Sequence, residues 1–254
     1  MGIYNNMDTE NRNYIIYGMH PVTEAVVSGK QIDKVLLKQG LEGVQFRSLL
    51  QLLKDRNVPF QFVPAERLAR VGNGRNQGVV AYLSRIDYAP FEEVVERALE
   101  KNPAPVFIML DGVSDVRNLG AIARSAECAG ASAIILPAKG GAAINADGIK
   151  ASAGALLRMD VCKTQNLRIP LYYLKEKGFL VVGATEKASS LIYDADFRKP
   201  LVIVMGSEGK GISDSVLSLC DVQAKIPMTG ETGSLNVSVA TSIVLFEVVR
   251  QRLQ

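Results

Sequence analysis

Residues 226–254 read IPMTGETGSLNVSVATSIVLFEVVRQRLQ, a polar loop with two glycines that continues directly into an almost wholly apolar helix. Apolar side chains follow helical spacing on two faces of this helix. One face carries Leu235, Val239, Ile243, Phe246 and Val249, and the other carries Val237, Val244 and Val248. Two apolar faces favour either a dimer or a helix buried between the layers of one subunit. Ser234 and Asn236 stand at the start of the helix, where polar side chains can cap it.

The rest of the chain divides into two α/β halves. From Tyr14 to about Ser84, four β-like runs alternate with three helical stretches, which predicts a small αβα domain. The stretch FEEVVERALEK, from Phe91, predicts a linker helix that ends before Pro103. The second half alternates helices with the runs VFIMLDG, ASAIILPA, FLVVGATE, PLVIVMGSE and DVQAKIPM. This order predicts a mostly parallel sheet covered on both faces. We expect a flexible start over 1–12, domains over 13–88 and 105–254, and a linker over 89–104.

Composition excludes several kinds of chemistry. Lys and Arg exceed Asp and Glu by three, and residues 1–90 hold the whole excess, with eleven against eight. This bias favours a nucleic-acid partner only weakly. His20 is the single histidine, so histidine metal sites are excluded and a Ser-His-Asp triad is disfavoured. Three widely spaced cysteines in apolar surroundings predict reduced, buried thiols. With no signal-peptide pattern and no apolar run of membrane length, we expect a cytoplasmic protein.

Three stretches share one design, in which a strand end is followed by polar residues that open a helix or a turn. They are LDGVSDVRNLGAIARSAECAG (110–130), IVMGSEGKGIS (203–213) and IPMTGETGSLNVSVA (226–240). Ligands of open parallel sheets gather at the carboxyl ends of strands, so we expect a ligand site there. GSEGKGIS lacks the complete glycine pattern of a phosphate-binding loop or of a dinucleotide fingerprint. Nucleoside triphosphates and NAD are therefore poor candidates.

Together, in this order and with these separations, the three stretches resemble the signature motifs of the SpoU/TrmH branch of the SPOUT RNA methyltransferases. KASAGALLRMDV, from Lys150, is similar to the family's segment between the first and second motifs. IYGMHPVTEAV and NQGVVAYLS resemble the kink-turn-binding, ribosomal-protein-like domain of bacterial enzymes that methylate a ribose of 23S ribosomal RNA. Two residues depart from the pattern. Val116 stands where proline is usual, and Asn76 stands where histidine is common.

The resemblance implies a SPOUT α/β-knot with a deep C-terminal trefoil knot, a homodimer, and S-adenosyl-L-methionine as cofactor. It implies 2'-O-methylation of RNA, with a guanosine of 23S ribosomal RNA as the expected target, and no membrane or metal. The positions that match the family's catalytic residues, or order them, are Asn118, Arg124, Glu208, Ser234 and Asn236. Cofactor contacts, largely through the backbone, are expected at Gly206, Ile226, Met228 and Leu235. RNA contacts are expected at Arg75, Gln77, Arg85 and Arg117.

Two of these roles can be examined from residue chemistry. Asn118 and Arg124 lie six residues apart across a helix start, and Asn118 could simply cap that helix. Arginine has been proposed as the general base in this family, but a guanidinium keeps its proton in proteins. We therefore expect Arg124 to bind the RNA phosphate beside the target ribose, while the hydroxyl proton passes to that phosphate or to water. Glu208 is expected to orient Arg124 or Asn118.

Two alternatives stay open. One is the same chemistry on transfer RNA, against which the N-terminal domain argues. The other is a catalytically idle RNA-binding factor for ribosome assembly. That second reading predicts the loss of reactive residues, whereas Asn118, Arg124, Glu208 and Asn236 are all intact.

Overall fold

A computed structural model describes residues 14–71 and 76–253 of the chain. Its contacts divide the chain into two compact units, Met1–Asp87 and Tyr88–Gln254. The first unit is built on a four-stranded sheet in the order β1-β4-β2-β3. Its elements are β1 (Ile15–Tyr17), α1 (Met19–Val27), β2 (Ile32–Lys38), α2 (Val44–Asp55), β3 (Phe60–Val63), α3 (Ala65–Ala69) and β4 (Val79–Leu83). Strand β4 runs antiparallel to β1 and β2, while β3 runs parallel to β2.

Alternation along the strands gives this sheet two apolar faces. Val35 and Leu37 of β2 pack in a core with buried residues of α1 and α2. Leu36, which points the other way, packs in a smaller core with Leu68 of α3. The layering confirms the αβα domain predicted from the sequence.

The second unit is built on a seven-stranded sheet in the order β7-β6-β5-β10-β8-β11-β9. Its strands are β5 (Val106–Asp111), β6 (Ala133–Pro137), β7 (Asp160–Thr164), β8 (Leu180–Ala184), β9 (Ser190–Leu191), β10 (Leu201–Gly206) and β11 (Val222–Lys225). Its helices are α4 (Phe91–Lys101), α5 (Val116–Cys128), α6 (Ala146–Ala151), α7 (Arg168–Glu176), α8 (Asp214–Leu217) and α9 (Val237–Arg252). Neighbouring strands pair in parallel, so their carboxyl ends meet at one edge.

All five strands predicted for this half are present, and the prediction of a mostly parallel sheet is confirmed. The sequence analysis missed β7 and β9, which occupy the two edges of the sheet. Edge strands have one neighbour and bury less, so their sequences carry a weaker apolar signal. In β7 only Val161 and Cys162 are buried, and β9 has two residues.

Helices cover both faces of the larger sheet. Phe107 and Met109 of β5 share a core with Val94, Val95 and Ala98 of α4. The helix that the sequence placed in a linker thus packs into the core of the second unit. The intervening residues of β5, Ile108 and Leu110, are fully buried on the opposite face.

The last helix is buried on one face only. Val237, Val244, Leu245 and Val248 of α9 are buried, and α9 contacts both α5 and β10. On the other predicted apolar face, Leu235, Val239 and Phe246 are 37%, 48% and 50% exposed, while Ile243 and Val249 are half-buried. The reading in which α9 is buried on both faces inside one subunit is therefore wrong for a single chain.

A polar clasp fixes the end of α9. The buried carboxylate of Glu247 accepts hydrogen bonds from Arg250 Nε and Nη2 and from Gln251 Nε2, each at 2.8 Å. Gln251 in turn donates to the carbonyl of Ala195 and accepts from the amide of Phe197. The helix end is thereby tied to the segment before β10. Within the described ranges, no helix combines the length and apolarity needed to cross a lipid bilayer.

Candidate active site

The first motif starts α5 immediately after β5. Asp115 is the N-cap, and its Oδ1 accepts a hydrogen bond of 2.7 Å from the amide of Arg117. This backbone bond holds the pKa of Asp115 below its usual value. Asn118, three positions later, already lies inside the helix. The expectation that Asn118 could cap α5 is therefore wrong, because Asp115 satisfies the free amide at the helix start.

The second motif forms a tight hairpin at the end of β10. Ser207 and Gly211 exchange two backbone hydrogen bonds, of 2.9 and 3.1 Å. Gly206 precedes the hairpin, and a Cβ atom there would lie 2.5 Å from the carbonyl oxygen of Gly211. Only glycine allows the two arms of the hairpin to approach this closely. Glu208 lies within the hairpin, at the carboxyl edge of the sheet.

The third motif starts α9, and Asn236 is its N-cap. Asn236 Oδ1 accepts from the amide of Ser238 at 2.9 Å and from its hydroxyl at 2.6 Å. Its Nδ2 donates to Asn118 Oδ1 at 3.1 Å and to Glu208 Oε1 at 2.8 Å. Asn236 therefore caps α9 and at the same time contacts residues of the other two motifs.

Asn118, Glu208 and Asn236 form one hydrogen-bonded cluster, although up to 118 residues separate them. Asn118 Nδ2 closes the cluster by donating to Glu208 Oε1 at 3.0 Å. The cap of α9 fixes which end of the Asn236 amide faces Asn118. That choice in turn fixes the Asn118 amide, since an acceptor must meet each donor. Glu208 is hydrogen-bonded to Asn118, and no hydrogen bond joins it to Arg124 in the part of the chain that the structure describes.

A cavity of about 540 Å³ lies beside the cluster. Its wall includes Glu208, Asn236 and three further residues predicted for the site, which are Gly206, Ser234 and Leu235. A smaller cavity of about 80 Å³ is lined by the remaining predicted cofactor residues, Ile226 and Met228. Seven residues line both cavities, which are Ala184, Glu186, Met205, Gly233, Ser234, Leu235 and Ala240. The predicted cofactor residues thus gather at the carboxyl ends of β8, β10 and β11.

Arg124 is not part of this wall. It lies on an exposed side of α5 and is absent from the linings of both cavities. Its neighbours Ile122, Ala123 and Ala126 are buried, whereas Arg124 is exposed. The next residue, Ser125, accepts a hydrogen bond of 2.7 Å from Ser242 and so joins α5 to α9. Along the described ranges, the Arg124 guanidinium makes no hydrogen bond or ion pair.

The predicted RNA contacts are spread over both units. Arg75 lies outside the described residues. Gln77 has a left-handed backbone, with φ of 48°, and its Oε1 accepts from the amide of Met19 at 3.4 Å. Arg85 follows the opposite end of β4 and lies over the ring of Tyr14, 4.2 Å from its centroid. Strand β4 therefore separates Arg85 from Gln77. Arg117 is exposed at the start of α5.

One charged residue of the cavity wall was missed by the sequence analysis. Glu186 follows β8 by two residues and lines both cavities. The sequence did contain a signal for Glu186, because polar residues at the carboxyl end of a parallel strand indicate a ligand site. It was overlooked because Glu186 lies outside the three motifs. Across the described ranges, no three His, Cys, Asp or Glu side chains are arranged to hold a metal ion.

The architecture and the site together define a class. An open parallel sheet, with a cavity and a polar cluster at the carboxyl ends of its strands, is the arrangement of an α/β enzyme that acts on a bound ligand. An attached αβα unit supplies a second domain.

Comparisons with known proteins identify the family. Residues 105–246 match the family described as "SpoU rRNA Methylase family", and residues 15–89 match "RNA 2'-O ribose methyltransferase substrate binding". A putative TrmH family tRNA/rRNA methyltransferase of Staphylococcus haemolyticus is 37% identical over 94% of this chain and 96% of its own length. The chain therefore belongs to the SpoU rRNA methylase family and is an RNA methyltransferase.

Solved structures agree on the fold. The AdoMet-bound rRNA methyltransferase of Sinorhizobium meliloti has a TM-score of 0.59 and 25% identity, with 95% of this chain and 88% of that chain covered. The SpoU methyltransferase AviRb of Streptomyces viridochromogenes has a TM-score of 0.61 and 23% identity, with 94% and 90% covered. This similarity confirms the SPOUT α/β fold class. The depth of the C-terminal knot stays a prediction.

Proposed function

We propose that this protein uses S-adenosyl-L-methionine to methylate a ribose 2'-hydroxyl of RNA, and that its target is a guanosine of 23S ribosomal RNA. The observation that carries the proposal is the Asn118–Glu208–Asn236 cluster, which borders a cavity lined by the predicted cofactor residues. The substrate-binding family match over residues 15–89 supports ribose methylation of RNA.

The cavity residues fit this cofactor. When bound, S-adenosyl-L-methionine supplies a methyl group on a positively charged sulfur. Met228 and Ile226 offer apolar contact to a flat base, and Glu186 and Glu208 favour a positive charge nearby. Gly206 and Gly233 let the backbone approach a ligand closely, which agrees with recognition largely through backbone groups.

We assign the polar cluster to positioning of the ribose hydroxyl. Asn118 Oδ1 accepts one hydrogen bond, from Asn236, and a carbonyl oxygen has a second lone pair for a hydroxyl donor. A hydroxyl is a weak nucleophile, so its alignment and the sharing of its proton lower the barrier. Glu208 holds both amides in place. Ser234, on the cavity wall, orders the loop before α9.

We further propose that the chain acts as a homodimer through the open face of α9, with Arg124 of one subunit serving the cavity of the other. The exposed Leu235, Val239 and Phe246 form the apolar patch that a second copy would cover. Arg124 lies outside the cavity walls of its own chain and has no partner among the described residues. A guanidinium at the partner's cavity could bind the RNA phosphate beside the target ribose.

A heterodimer tests this assignment. Arg124→Ala and Asn236→Asp homodimers are each expected to be inactive. If Arg124 acts in the other subunit, a purified heterodimer of the two variants has one cavity with an intact Asn236 that is served by an intact Arg124 of the partner. This heterodimer should show roughly half of the wild-type rate. An inactive heterodimer contradicts action across the interface.

The cluster is tested by Asn236→Asp. Aspartate caps a helix as well as asparagine, so the fold and its melting temperature should change little. The new carboxylate removes the donor to Glu208 and repels it, and we expect about a 100-fold lower transfer rate. Asn145→Asp is the matched control, because Asn145 caps α6 in the same way and has no contact with the cluster. Equal transfer rates for Asn236→Asp and wild type would contradict the assignment of the polar cluster to catalysis.

The substrate is tested by mapping. The protein is incubated with labelled S-adenosyl-L-methionine and either unmodified 23S ribosomal RNA or unmodified transfer RNA, and the labelled nucleotide is located. Label on a guanosine 2'-oxygen of 23S RNA supports the proposal. Label on transfer RNA, or on a base nitrogen, contradicts the target or the ribose assignment. Cofactor binding without transfer supports an idle RNA-binding factor.

An RNA substrate and reduced thiols favour the cytoplasm as the site of action.

A further inference from the structure

We propose that Glu186 is a cofactor-binding residue whose carboxylate accepts hydrogen bonds from the ribose 2'- and 3'-hydroxyls of S-adenosyl-L-methionine. The inference rests on the proposed function, because it assigns a residue to the cofactor named there. Glu186 lies outside the three sequence motifs.

The position of Glu186 follows from the sheet. Ala184 ends β8 directly beside Met205 of β10, and both residues line both cavities. Glu186 follows two residues later, in a turn where the amide of Lys187 bonds to Thr185 Oγ1 at 3.4 Å. Glu186 therefore lies where the two cavities share a wall.

The carboxylate has no partner. Along the ranges that the structure describes, Glu186 forms no hydrogen bond or ion pair, although Glu208 in the same wall accepts two. An ionised carboxylate accepts up to four hydrogen bonds and donates none. A ligand in this cavity that presents O–H donors would therefore meet an acceptor already in place.

The two cavities differ in chemistry. The larger one carries Glu208 and Asn236, while the smaller one adds Ala224, Ile226 and Met228. The flat face of the adenine base suits the apolar residues of the smaller cavity, and the reacting end of the cofactor must lie near the polar cluster in the larger one. The sugar joins these two parts. Among the residues shared by both walls, Glu186 supplies the only charged side chain and Ser234 the only other polar one.

A sugar diol and a carboxylate are complementary. Two neighbouring hydroxyls can donate to the two oxygens of one carboxylate, and hydrogen bonds to a charged acceptor are about twice as strong as neutral ones. Carboxylates bind ribose hydroxyls in the same way in dinucleotide-binding folds. Coulomb attraction of Glu186 for the sulfonium is the competing role, and binding experiments can separate the two.

The experiment measures binding by calorimetry with the full chain. The ligands are S-adenosyl-L-methionine, S-adenosylhomocysteine, which lacks the sulfonium charge, and 2',3'-dideoxy-S-adenosylhomocysteine, which also lacks the diol. We expect Glu186→Gln to weaken the first two by about 10- to 100-fold and to leave the third unchanged relative to wild type. Glu231→Gln is the matched control, because Glu231 is exposed in the 226–236 loop and lines neither cavity.

Each other outcome overturns the inference. Weakening confined to S-adenosyl-L-methionine assigns Glu186 to the sulfonium, and weakening of the dideoxy compound assigns it to another part of the ligand. Unchanged affinity for all three removes Glu186 from the cofactor site. Failure of the wild-type protein to bind S-adenosyl-L-methionine would instead overturn the proposed function. Glu186 is exposed, so thermal melting is expected to show that the variant folds normally.

Discussion

Substitution of Gly206 by alanine is expected to displace the hairpin that carries Glu208. The new Cβ would lie 2.1 Å from the carbonyl carbon of Gly211 and 2.5 Å from its oxygen, so the hairpin must move by about 1.3 Å to bring the carbon to ordinary contact at 3.4 Å. A shift of this size along the bonds to Asn118 and Asn236, now 3.0 and 2.8 Å, breaks both. Misplacement by about 1 Å commonly costs about 100-fold in rate.

The cost in stability is smaller. Overpacking costs about 1–3 kcal/mol, which in a domain of this size lowers Tm by roughly 2–12 °C. Gly230→Ala is the matched control, because no atom lies within 4 Å of its added Cβ. The assays are single-turnover methyl transfer, cofactor titration and thermal melting. A Gly206→Ala variant that transfers methyl groups at the wild-type rate would refute the claim that this hairpin positions the cluster.

Three further predictions concern other parts of the chain. Phe246→Asp should prevent formation of the proposed homodimer and abolish transfer, as measured by light scattering and activity; a dimeric variant contradicts the proposed interface. Hydrogen bonds from Arg250 lower the pKa of Glu247, so its contribution to stability is present above the unfolded pKa and is lost as pH falls through the folded one. The Tm difference between wild type and Glu247→Gln should therefore shrink below about pH 4, and a constant difference contradicts this. Burial raises the pKa of Cys162 to about 12, so iodoacetamide at pH 8 should label the exposed Cys128 first, as read by mass spectrometry. Equal labelling contradicts this order.

The central strands were predictable because they are continuous apolar runs, and the long helices because their apolar residues follow the helical period. VFIMLDG and PLVIVMGSE are continuous apolar runs, and they became β5 and β10 in the middle of the sheet. The apolar signal is too weak at the two edges of the sheet, where β7 and β9 carry too few buried residues to be recognised. The αβα unit was predictable for the same reason as the central strands.

The site residues were named from the resemblance of the three motifs to those of the SpoU/TrmH family, and their geometry could not be read from the sequence. The structure joins Asn118, Glu208 and Asn236 in one hydrogen-bonded cluster. The exposure of Arg124 could not be read from its neighbours along the chain, because Ala123 and Ala126 of the same helix are fully buried. Glu186 was missed because it lies in a turn without a recognisable motif.

By itself, the sequence determined which segments are buried and which polar residues stand at strand ends, because burial and helix starts depend on neighbours close along the chain. The tertiary structure alone decided that the cap of α9 fixes the amide of Asn118, and that Glu186 faces the same cavities as Leu235. Such contacts join residues about 50 to 118 positions apart, and the parallel sheet brings them together by aligning the carboxyl ends of its strands. That alignment depends on strand order, which no local pattern contains.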